Sequence, residues 1–247
     1  MKWHTLVPIA VAALIAVSIW QESNYDDPRR VEHDPVAPNW AAIASWPTLQ
    51  TEVVEAQPDP NRRVTAIVLD DSGSMGNDIE AAKAAVSGAL AAMADDDRVA
   101  VLALNYGTVL PFTTVEDARG RLQARLVPVE SDGGTPLTQS VLDAQQILEQ
   151  EAAIARGFGT FRLIVTTDGQ ANDDLALDTA IQSLAEGTPI QITTIGIGIS
   201  GDHVLRRKDL GAFVDVENVD ALKDALRAAV AENTDFTAIT DFGETEG

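Results

Sequence analysis

The sequence predicts a doubly wound α/β fold, with a mainly parallel central sheet, one short antiparallel edge strand and helices on both faces. Short apolar strands alternate with amphipathic helices from residue 64 to residue 231. Most of these strands are apolar along nearly their whole length, as strands are when helices cover both faces of a parallel sheet. One short strand follows its neighbour after a turn, which indicates an antiparallel hairpin at the edge.

The strands are predicted from apolar runs that turn residues bound. In chain order they are Val64–Leu69, Arg98–Leu104, Val109–Phe112, Phe161–Thr167, Ile190–Ile197 and Ala212–Val216. The short edge strand is Val109–Phe112, after the turn Asn105–Thr108.

The helices are predicted from apolar residues that recur every three or four positions. Leu137, Val141, Ala144 and Leu148 share one face of such a helix. The predicted helices are 78–94, 115–125, 137–154, 174–185 and 219–231.

Composition excludes several classes of function. The chain of 247 residues has 38 acidic and 17 basic side chains and a net charge of −21. Nucleic acid is therefore not an expected partner, because phosphate contacts need basic surface. The chain has no cysteine, which excludes disulfides, thiolate zinc sites and cysteine nucleophiles.

The two ends of the chain differ in composition from its middle. Lys2 precedes an uncharged, mostly apolar run, 5–20, and acidic residues follow it. This charge order favours an amino terminus that stays in the cytoplasm while the rest crosses. Residues 1–20 are therefore interpreted as an uncleaved membrane anchor or as a cleaved signal peptide, and both place the domain outside the cytoplasm. A hydrophobic leader with neither role is the remaining alternative.

The remaining segments give the predicted domain organisation. Residues 21–61 are a Pro-rich acidic linker, 62–232 the folded domain, and 233–247 an acidic flexible tail. Local packing is the favoured interpretation of Trp40 and Trp46, which interrupt the linker. Docking of either on the domain or on a partner is the alternative.

Three segments with oxygen-bearing side chains meet at the carboxyl ends of the predicted strands, where open parallel sheets bind ligands. They are Asp70–Ser74, Ser131–Pro136 and Thr166–Gly169. Asp71 is expected to point the other way, because neighbours in a strand alternate. Two carboxylates brought together repel each other unless a hard divalent cation such as Mg²⁺ binds between them. The candidate ligands are Asp70, Ser72, Ser74, Thr135 and Asp168.

This three-part pattern, Asp-x-Ser-x-Ser, then Gly-Gly-Thr, then Thr-Asp-Gly, resembles the metal-ion-dependent adhesion site of von Willebrand factor type A domains. The resemblance covers about residues 62–232 and includes the strand end Ile195–Gly198. It implies the Rossmann-like fold of that family.

The resemblance also implies how the site works. A divalent metal, Mg²⁺ with Mn²⁺ or Ca²⁺ as alternatives, is expected to be held directly by Ser72, Ser74 and Thr135. Asp70 and Asp168 are expected to act largely through bound waters. The remaining position takes an Asp or Glu carboxylate from a partner protein. The expected function is partner binding without catalysis. The amino-terminal run predicts that the domain is membrane-tethered, and the net negative charge favours a partner that is basic around its contact carboxylate.

One glycine-rich segment imitates a nucleotide site. Gly196–Gly201 reads GxGxxG after a strand, and Asp215 follows near the end of the next strand. Only residues 202–211 separate the glycines from that next strand, which is too few for the usual helix. No nucleotide is expected to bind.

Two further functions remain as alternatives. A hydrolase or phosphotransferase could use Asp70 as nucleophile, although no lysine occurs between Lys83 and Lys208. A catalytic triad would need His203, for which a capping or surface role is favoured. A scaffold protein with a purely structural metal is the second alternative.

Overall fold

The computed structural model describes residues 36–55 and 59–231, and the predicted leader, the first part of the linker and the tail lie outside them. In the described part, six strands form one sheet in the order β3-β2-β1-β4-β5-β6. The strands are β1 (Arg63–Leu69), β2 (Arg98–Ala103), β3 (Gly107–Thr114), β4 (Thr160–Thr167), β5 (Gln191–Ile197) and β6 (Ala212–Val216). The helices are α1 (Trp40–Ser45), α2 (Ile79–Ala89), α3 (Val115–Leu126), α4 (Leu137–Ile154), α5 (Asp174–Gly187) and α6 (Val219–Ala231).

The sheet confirms the predicted fold class. β1 pairs in parallel with β2 and with β4, and β5 and β6 continue the parallel order on one side. β3 pairs antiparallel with β2 at the other edge. The carboxyl ends of five strands therefore meet at one edge of the sheet, called here the carboxyl edge, and their first residues lie at the opposite, amino edge.

Both faces of the central strand are buried. Ile67 and Leu69 of β1 pack in one apolar cluster with α2, α3 and α6. Ala66 and Val68 pack in a second cluster with α4 and α5. Burial on both sides explains why β1 reads as a continuous apolar run.

Two predicted elements differ from the observed ones. The helix predicted at 78–94 is divided into a 3₁₀ turn Gly73–Asp78, the helix α2 and a second 3₁₀ turn Leu90–Ala92. The edge strand predicted at Val109–Phe112 extends over Gly107–Thr114.

Residues 36–55, which belong to the predicted linker, contact the amino edge of the domain. The backbone N–H of Val36 donates to Oδ2 of Asp209 at 3.0 Å. The ring of Trp46 meets the ring of Phe161 edge-on, with centroids 4.9 Å apart. Trp46 thus docks on the domain instead of packing locally. None of the helices in 36–55 and 59–231 has the length and apolarity needed to cross a membrane.

Candidate metal centre

The three segments predicted from the sequence meet at the carboxyl edge. Two of them follow β1 and β4, which are hydrogen-bonded neighbours, so Asp70 and Asp168 come from adjacent strand ends. The third, Ser131–Pro136, precedes α4. Its Asp132 N–H donates to the backbone oxygen of Asp71 at 2.9 Å, which holds this loop against the first.

Asp70 is the buried member of the group, with no exposed surface. Its Oδ1 accepts the N–H of Ser72 at 2.9 Å, and its Oδ2 accepts the N–H of Asp168 at 3.1 Å. Burial raises the pKa of Asp70, and the neighbouring Asp168 carboxylate raises it further, against the lowering effect of the hydrogen bonds from Ser72. The fold therefore places a carboxylate where its charge is poorly solvated.

Two hydroxyls and the second carboxylate form a compact set of oxygens beside Asp70. Ser74 Oγ donates to Oδ1 of Asp168 at 2.7 Å, and Ser72 Oγ lies 3.0 Å from Ser74 Oγ. Ser72 Oγ is also 3.5 Å from Asp168 Oδ1. Ser74 is exposed and Ser72 is buried, so the set opens toward solvent on one side.

Thr135 is held in place through its backbone. Its N–H donates to Oδ1 of Asn172 at 3.0 Å, and its carbonyl accepts the N–H of Asn172 at the same distance. On the preceding residue, the carbonyl of Gly134 accepts a bond from Nδ2 of Asn105 at 2.9 Å. Two asparagines from different loops therefore fix the segment that carries the Thr135 hydroxyl.

Ser131 joins the first and second loops. Its Oγ donates to the carbonyl of Ser72 at 2.7 Å and accepts the N–H of Gly76 at 2.8 Å. Gly133 makes the close approach possible: its φ is +74°, and a Cβ there would lie 2.6 Å from Oδ1 of Asn105. A side chain at Gly133 would both strain the backbone and displace Asn105.

Asp71 does not belong to the site. Its Oδ1 accepts the N–H of Asn105 at 2.7 Å, and its Oδ2 accepts the N–H of Tyr106 at 3.0 Å. The carboxylate thus closes the turn between β2 and β3, away from Asp70, as strand alternation predicts.

Sequence reasoning assigned no role to Asn105, Ser131 or Asn172, although each positions part of the site. A lone Asn or Ser in a loop is ordinary turn chemistry, so only the contacts between loops distinguish these three. Ser131 is the first residue of the predicted segment Ser131–Pro136, and this position was the only sequence signal that any of the three belongs to the site.

His203 caps a short turn. Its Nδ1 accepts the N–H of Leu205 at 3.1 Å, and its Nε2 lies 3.1 Å from the carbonyl of Gly169, to which it donates in the neutral ring. The residue is 6% exposed, and burial lowers its pKa. Both ring nitrogens are occupied by backbone groups.

The donor set fits a hard divalent cation. The described residues contain no group of three His, Cys, Asp or Glu side chains able to hold a metal. The contacts bring together two carboxylates, Asp70 and Asp168, and two hydroxyls, Ser72 and Ser74, which are oxygen donors that Mg²⁺ accepts. Thr135 lies in the neighbouring loop, fixed through its backbone. A cation bound among these oxygens would compensate the buried charge of Asp70.

The family comparison agrees with this geometry. A family model described as the von Willebrand factor type A domain matches residues 65–170, a range that includes all five candidate ligands. The chain contains a von Willebrand factor type A domain.

Solved structures of other von Willebrand factor type A domains have the same fold. The domain is similar to a von Willebrand factor type A protein from Catenulispora acidiphila, with a TM-score of 0.58 and 22% identity over 69% of this chain and 42% of the other. It is also similar to proximal thread matrix protein 1 from the mussel byssus, solved with a zinc-occupied metal-ion-dependent adhesion site, with a TM-score of 0.56 and 17% identity over 71% and 48% of the two chains. A manganese-loaded TRAP protein from Plasmodium vivax gives a TM-score of 0.51 and 16% identity over 68% and 74%.

A curated relative of unknown activity also matches. An uncharacterized protein of Synechocystis sp. is 26% identical over 170 residues, which cover 66% of this chain and 38% of the relative. The chain therefore spans well under half the length of this relative.

Proposed function

We propose that the von Willebrand factor type A domain of this chain binds a partner protein through a divalent cation, Mg²⁺ by preference. Asp70, Ser72, Ser74, Thr135 and Asp168 would hold the cation. The cation would supply positive charge at the carboxyl edge and a coordination position for an Asp or Glu of the partner.

The observation that carries this proposal is an open cluster of oxygens around a buried carboxylate. Ser74 is exposed and bonded to Asp168, while Asp70 beneath them is fully buried. A closed structural site would bury its ligands on every side. The exposed side of this cluster favours a ligand that comes from another molecule.

The enzymatic alternative has less support from the geometry. A nucleophilic Asp70 would need direct contact with the substrate, and its side chain is fully buried. Phosphoryl transfer also relies on Lys or Arg near the transferred group. The segments that carry the candidate ligands, 70–78, 131–136 and 168–173, contain neither residue type. We therefore propose a role in binding and not in catalysis.

The place of action is proposed from the amino-terminal sequence. The apolar run 5–20, with Lys2 before it and acidic residues after it, supports a domain outside the cytoplasm, tethered to the membrane if the run is uncleaved. Mass measurement of the amino terminus in the native membrane fraction tests this. A domain recovered only in the cytoplasm would contradict it.

The binding function is tested by affinity capture from the native cell envelope, with Mg²⁺ or with EDTA. Wild type is expected to retain a partner in Mg²⁺ and lose it in EDTA, and Ser72→Ala/Ser74→Ala is expected to lose it in both. Ser87→Ala is the matched control, because its hydroxyl bonds within α2 to the carbonyl of Lys83. Capture that EDTA does not affect would contradict the proposal.

A Thr135→Ala variant separates partner binding from a structural metal. Partner binding predicts that this variant fails to capture while its unfolding temperature in EDTA matches wild type. A structural metal predicts unchanged capture with a lower unfolding temperature in Mg²⁺.

A further inference from the structure

Two Asp-Gly pairs lie in the loops at the carboxyl edge. They are Asp132–Gly133, before α4, and Asp168–Gly169, directly after β4. An aspartate that precedes a glycine is prone to close into a cyclic imide, because glycine has no Cβ to hinder the attack of its nitrogen on the neighbouring carboxyl. The sequence makes the two pairs equivalent in this respect, and their contacts distinguish them.

The carboxyl of Asp132 lies against the nitrogen that would attack it. The N–H of Gly133 donates to Oδ1 of Asp132 at 2.7 Å, and this oxygen is bonded to Cγ, the atom that is attacked. Both residues are exposed and lie outside the helices and strands, so water reaches the pair. Groups that are held in contact react much faster than groups that must first find each other.

Contacts on both sides keep this pair in place. The N–H of Asp132 donates to the carbonyl of Asp71 at 2.9 Å, and the carbonyl of Gly133 accepts the N–H of Gly73 at 3.1 Å. The chain is therefore fixed to the first loop directly before and directly after the bond that would react.

The pair Asp168–Gly169 has a different geometry. Oδ1 of Asp168 accepts the hydroxyl of Ser74 at 2.7 Å, and the N–H of Gly169 donates to Oγ1 of Thr167 at 3.4 Å. The carboxyl and the nitrogen of this pair thus bind different groups. Asp168 is also only partly exposed.

We infer that Asp132 is a site of spontaneous isoaspartate formation. The nitrogen of Gly133 bonds to Cγ of Asp132 in its acid form, and the carboxyl OH leaves as water together with the amide proton. Water then opens the imide at one of its two carbonyls. Opening at the side-chain carbonyl restores aspartate, and opening at the main-chain carbonyl gives isoaspartate, whose chain runs through Cβ. The water released in the first step is taken up in the second, so only the connectivity changes.

The product disturbs the candidate metal centre. Isoaspartate adds one methylene to the main chain between the N–H of residue 132 and the carbonyl of Gly133, the two groups that are fixed to the first loop. Thr135 follows two residues later, and its own N–H is bonded to Asn172. The longer chain breaks at least one of these hydrogen bonds, which corresponds to roughly fivefold weaker Mg²⁺ binding. This effect rests on the proposed function, whereas the modification itself does not.

Incubation of the full chain, folded and in urea, tests the modification. A methyltransferase specific for L-isoaspartate labels the product, and peptide mapping locates the label. In urea the two Asp-Gly pairs should be labelled at similar rates. In the folded chain the label at position 132 should exceed that at position 168 roughly tenfold, because only the first pair is held in contact. A ratio no higher in the folded chain than in urea, or no label at position 132, would overturn the inference.

Asp132→Glu is the matched variant, since its carboxyl could react only through a less favourable six-membered ring. The side chain of Asp132 is exposed, so the added methylene has room. The peptide that contains position 132 should lose its label in this variant, while the label at position 168 stays as in wild type. A label that persists at full strength in the first peptide would assign the signal to another residue and overturn the inference.

Calorimetric titration with Mg²⁺ tests the effect on the metal centre. Wild type and Asp132→Glu are each compared before and after the incubation. Incubated wild type should bind Mg²⁺ more weakly in proportion to its isoaspartate content, and repair by the methyltransferase with S-adenosylmethionine should restore binding. Unchanged binding by isomerised wild type, or an equal loss in Asp132→Glu, would overturn the link to the metal centre. Fresh wild type that binds no Mg²⁺ would contradict the proposed function and leave the modification site standing.

Discussion

At the scale of single residues, Asp70 is the group on which the candidate site depends most. Its carboxylate is buried next to Asp168, and burial raises its pKa above the ordinary value of 3.8. A raised carboxyl pKa means that the folded state holds the proton more tightly than the unfolded state. Without metal, this group therefore favours folding at low pH, and that contribution is lost as the pH rises through the folded pKa.

Metal binding is expected to reverse that loss. At pH 7 and a Mg²⁺ concentration of about 100 times Kd, the free energy of unfolding should rise by about 2.7 kcal/mol. Near pH 4 protons compete for Asp70, so the increase should be much smaller. Thermal unfolding with Mg²⁺ and with EDTA at both pH values measures this. An equal increase at pH 4 and pH 7 would contradict it.

Asn172 is predicted to act by positioning Thr135. Asn172→Ala removes the acceptor for the Thr135 N–H, and a lost hydrogen bond of about 1 kcal/mol corresponds to roughly fivefold weaker Mg²⁺ binding. Asn172→Asp retains the acceptor and should bind Mg²⁺ as tightly as wild type or more tightly. Calorimetric titration with Mg²⁺ compares the two. Equal weakening in both variants would assign Asn172 a different role.

At the scale of elements, the 3₁₀ turn Val204–Arg206 begins with His203 as its cap. Burial lowers the pKa of His203 from its ordinary value of 6.5. The neutral ring is the form that accepts the N–H of Leu205, so protonation removes the cap.

This cap predicts a pH dependence of stability in EDTA. For a histidine with a lowered pKa, the contribution to stability is complete above pH 6.5 and declines as the pH falls toward the folded pKa, because the unfolded state takes up the proton first. Chemical unfolding at pH 7.5 and pH 5.5 measures the decline. His203→Asn retains a capping acceptor but does not titrate, so most of the decline in stability between pH 7.5 and pH 5.5 should disappear in this variant. If stability declines as much in His203→Asn as in wild type, a group other than His203 causes the pH dependence.

The amino-terminal segment 36–55 is predicted to contribute stability through Trp46. The ring packs edge-on against Phe161, while its buried Nε1 has no acceptor among the described residues. Trp46→Ala should lower the free energy of unfolding by about 2 kcal/mol, less than for a fully buried aromatic residue. Trp46→Phe keeps ring packing without the unpaired N–H and should stay within about 1 kcal/mol of wild type. Urea unfolding measures the free energy of unfolding of both variants. Equal losses of stability in Trp46→Ala and Trp46→Phe would contradict this account.

The elements were predictable where burial sets the residue pattern. β1 and α4 are bounded closely by their apolar residues, because each packs in the core. β3 was predicted too short, since the residues at its ends are polar and partly exposed. The turn Gly73–Asp78 has no apolar period, so no pattern indicated its 3₁₀ form.

The site was predictable in part for a related reason. Asp70 and Asp168 follow apolar strands directly, so their edge of the sheet can be inferred from topology alone. The contacts of Asn105 and Asn172 with Gly134 and Thr135 join residues about 30 to 40 positions apart. Such contacts depend on loop conformations that residue types in one sequence do not specify.

At the scale of the whole molecule, charge is distributed unevenly between the two edges of the sheet. The carboxyl-edge segments 70–78, 131–136 and 168–173 hold carboxylates without Lys or Arg, and Arg206 at this edge is paired with Asp215. The amino edge holds ion pairs, such as Arg63 Nε with Asp97 Oδ1 at 2.8 Å and Arg98 with Glu151 at 2.8 Å. The carboxylates around the candidate metal centre therefore have no cationic side chain in their own segments.

This distribution predicts salt-dependent metal binding. Exposed carboxylates raise the local concentration of cations, and salt screens that attraction over about 10 Å at 0.1 M. Mg²⁺ affinity should fall as NaCl rises, and it should fall less steeply in Asp173→Asn/Asp174→Asn. Glu116→Gln/Asp117→Asn should follow the wild-type slope. Calorimetry over a series of NaCl concentrations measures the slopes, and identical slopes in all three proteins would contradict the prediction.

The placement of residues 36–55 at the amino edge has a mechanical consequence. A pull applied between residue 36 and a molecule bound at the carboxyl edge acts along the strands, not across them. The contacts loaded first are those of the segment itself: Val36 with Asp209, Asn39 with Glu186, Thr48 with Glu149, and Trp46 with Phe161. We expect these contacts to break before β1 is extracted, because β1 is hydrogen-bonded along its length to β2 and to β4, and a pull along the strands loads those hydrogen bonds together. Residues 36–55 would therefore lengthen under tension while the metal-binding edge keeps its shape.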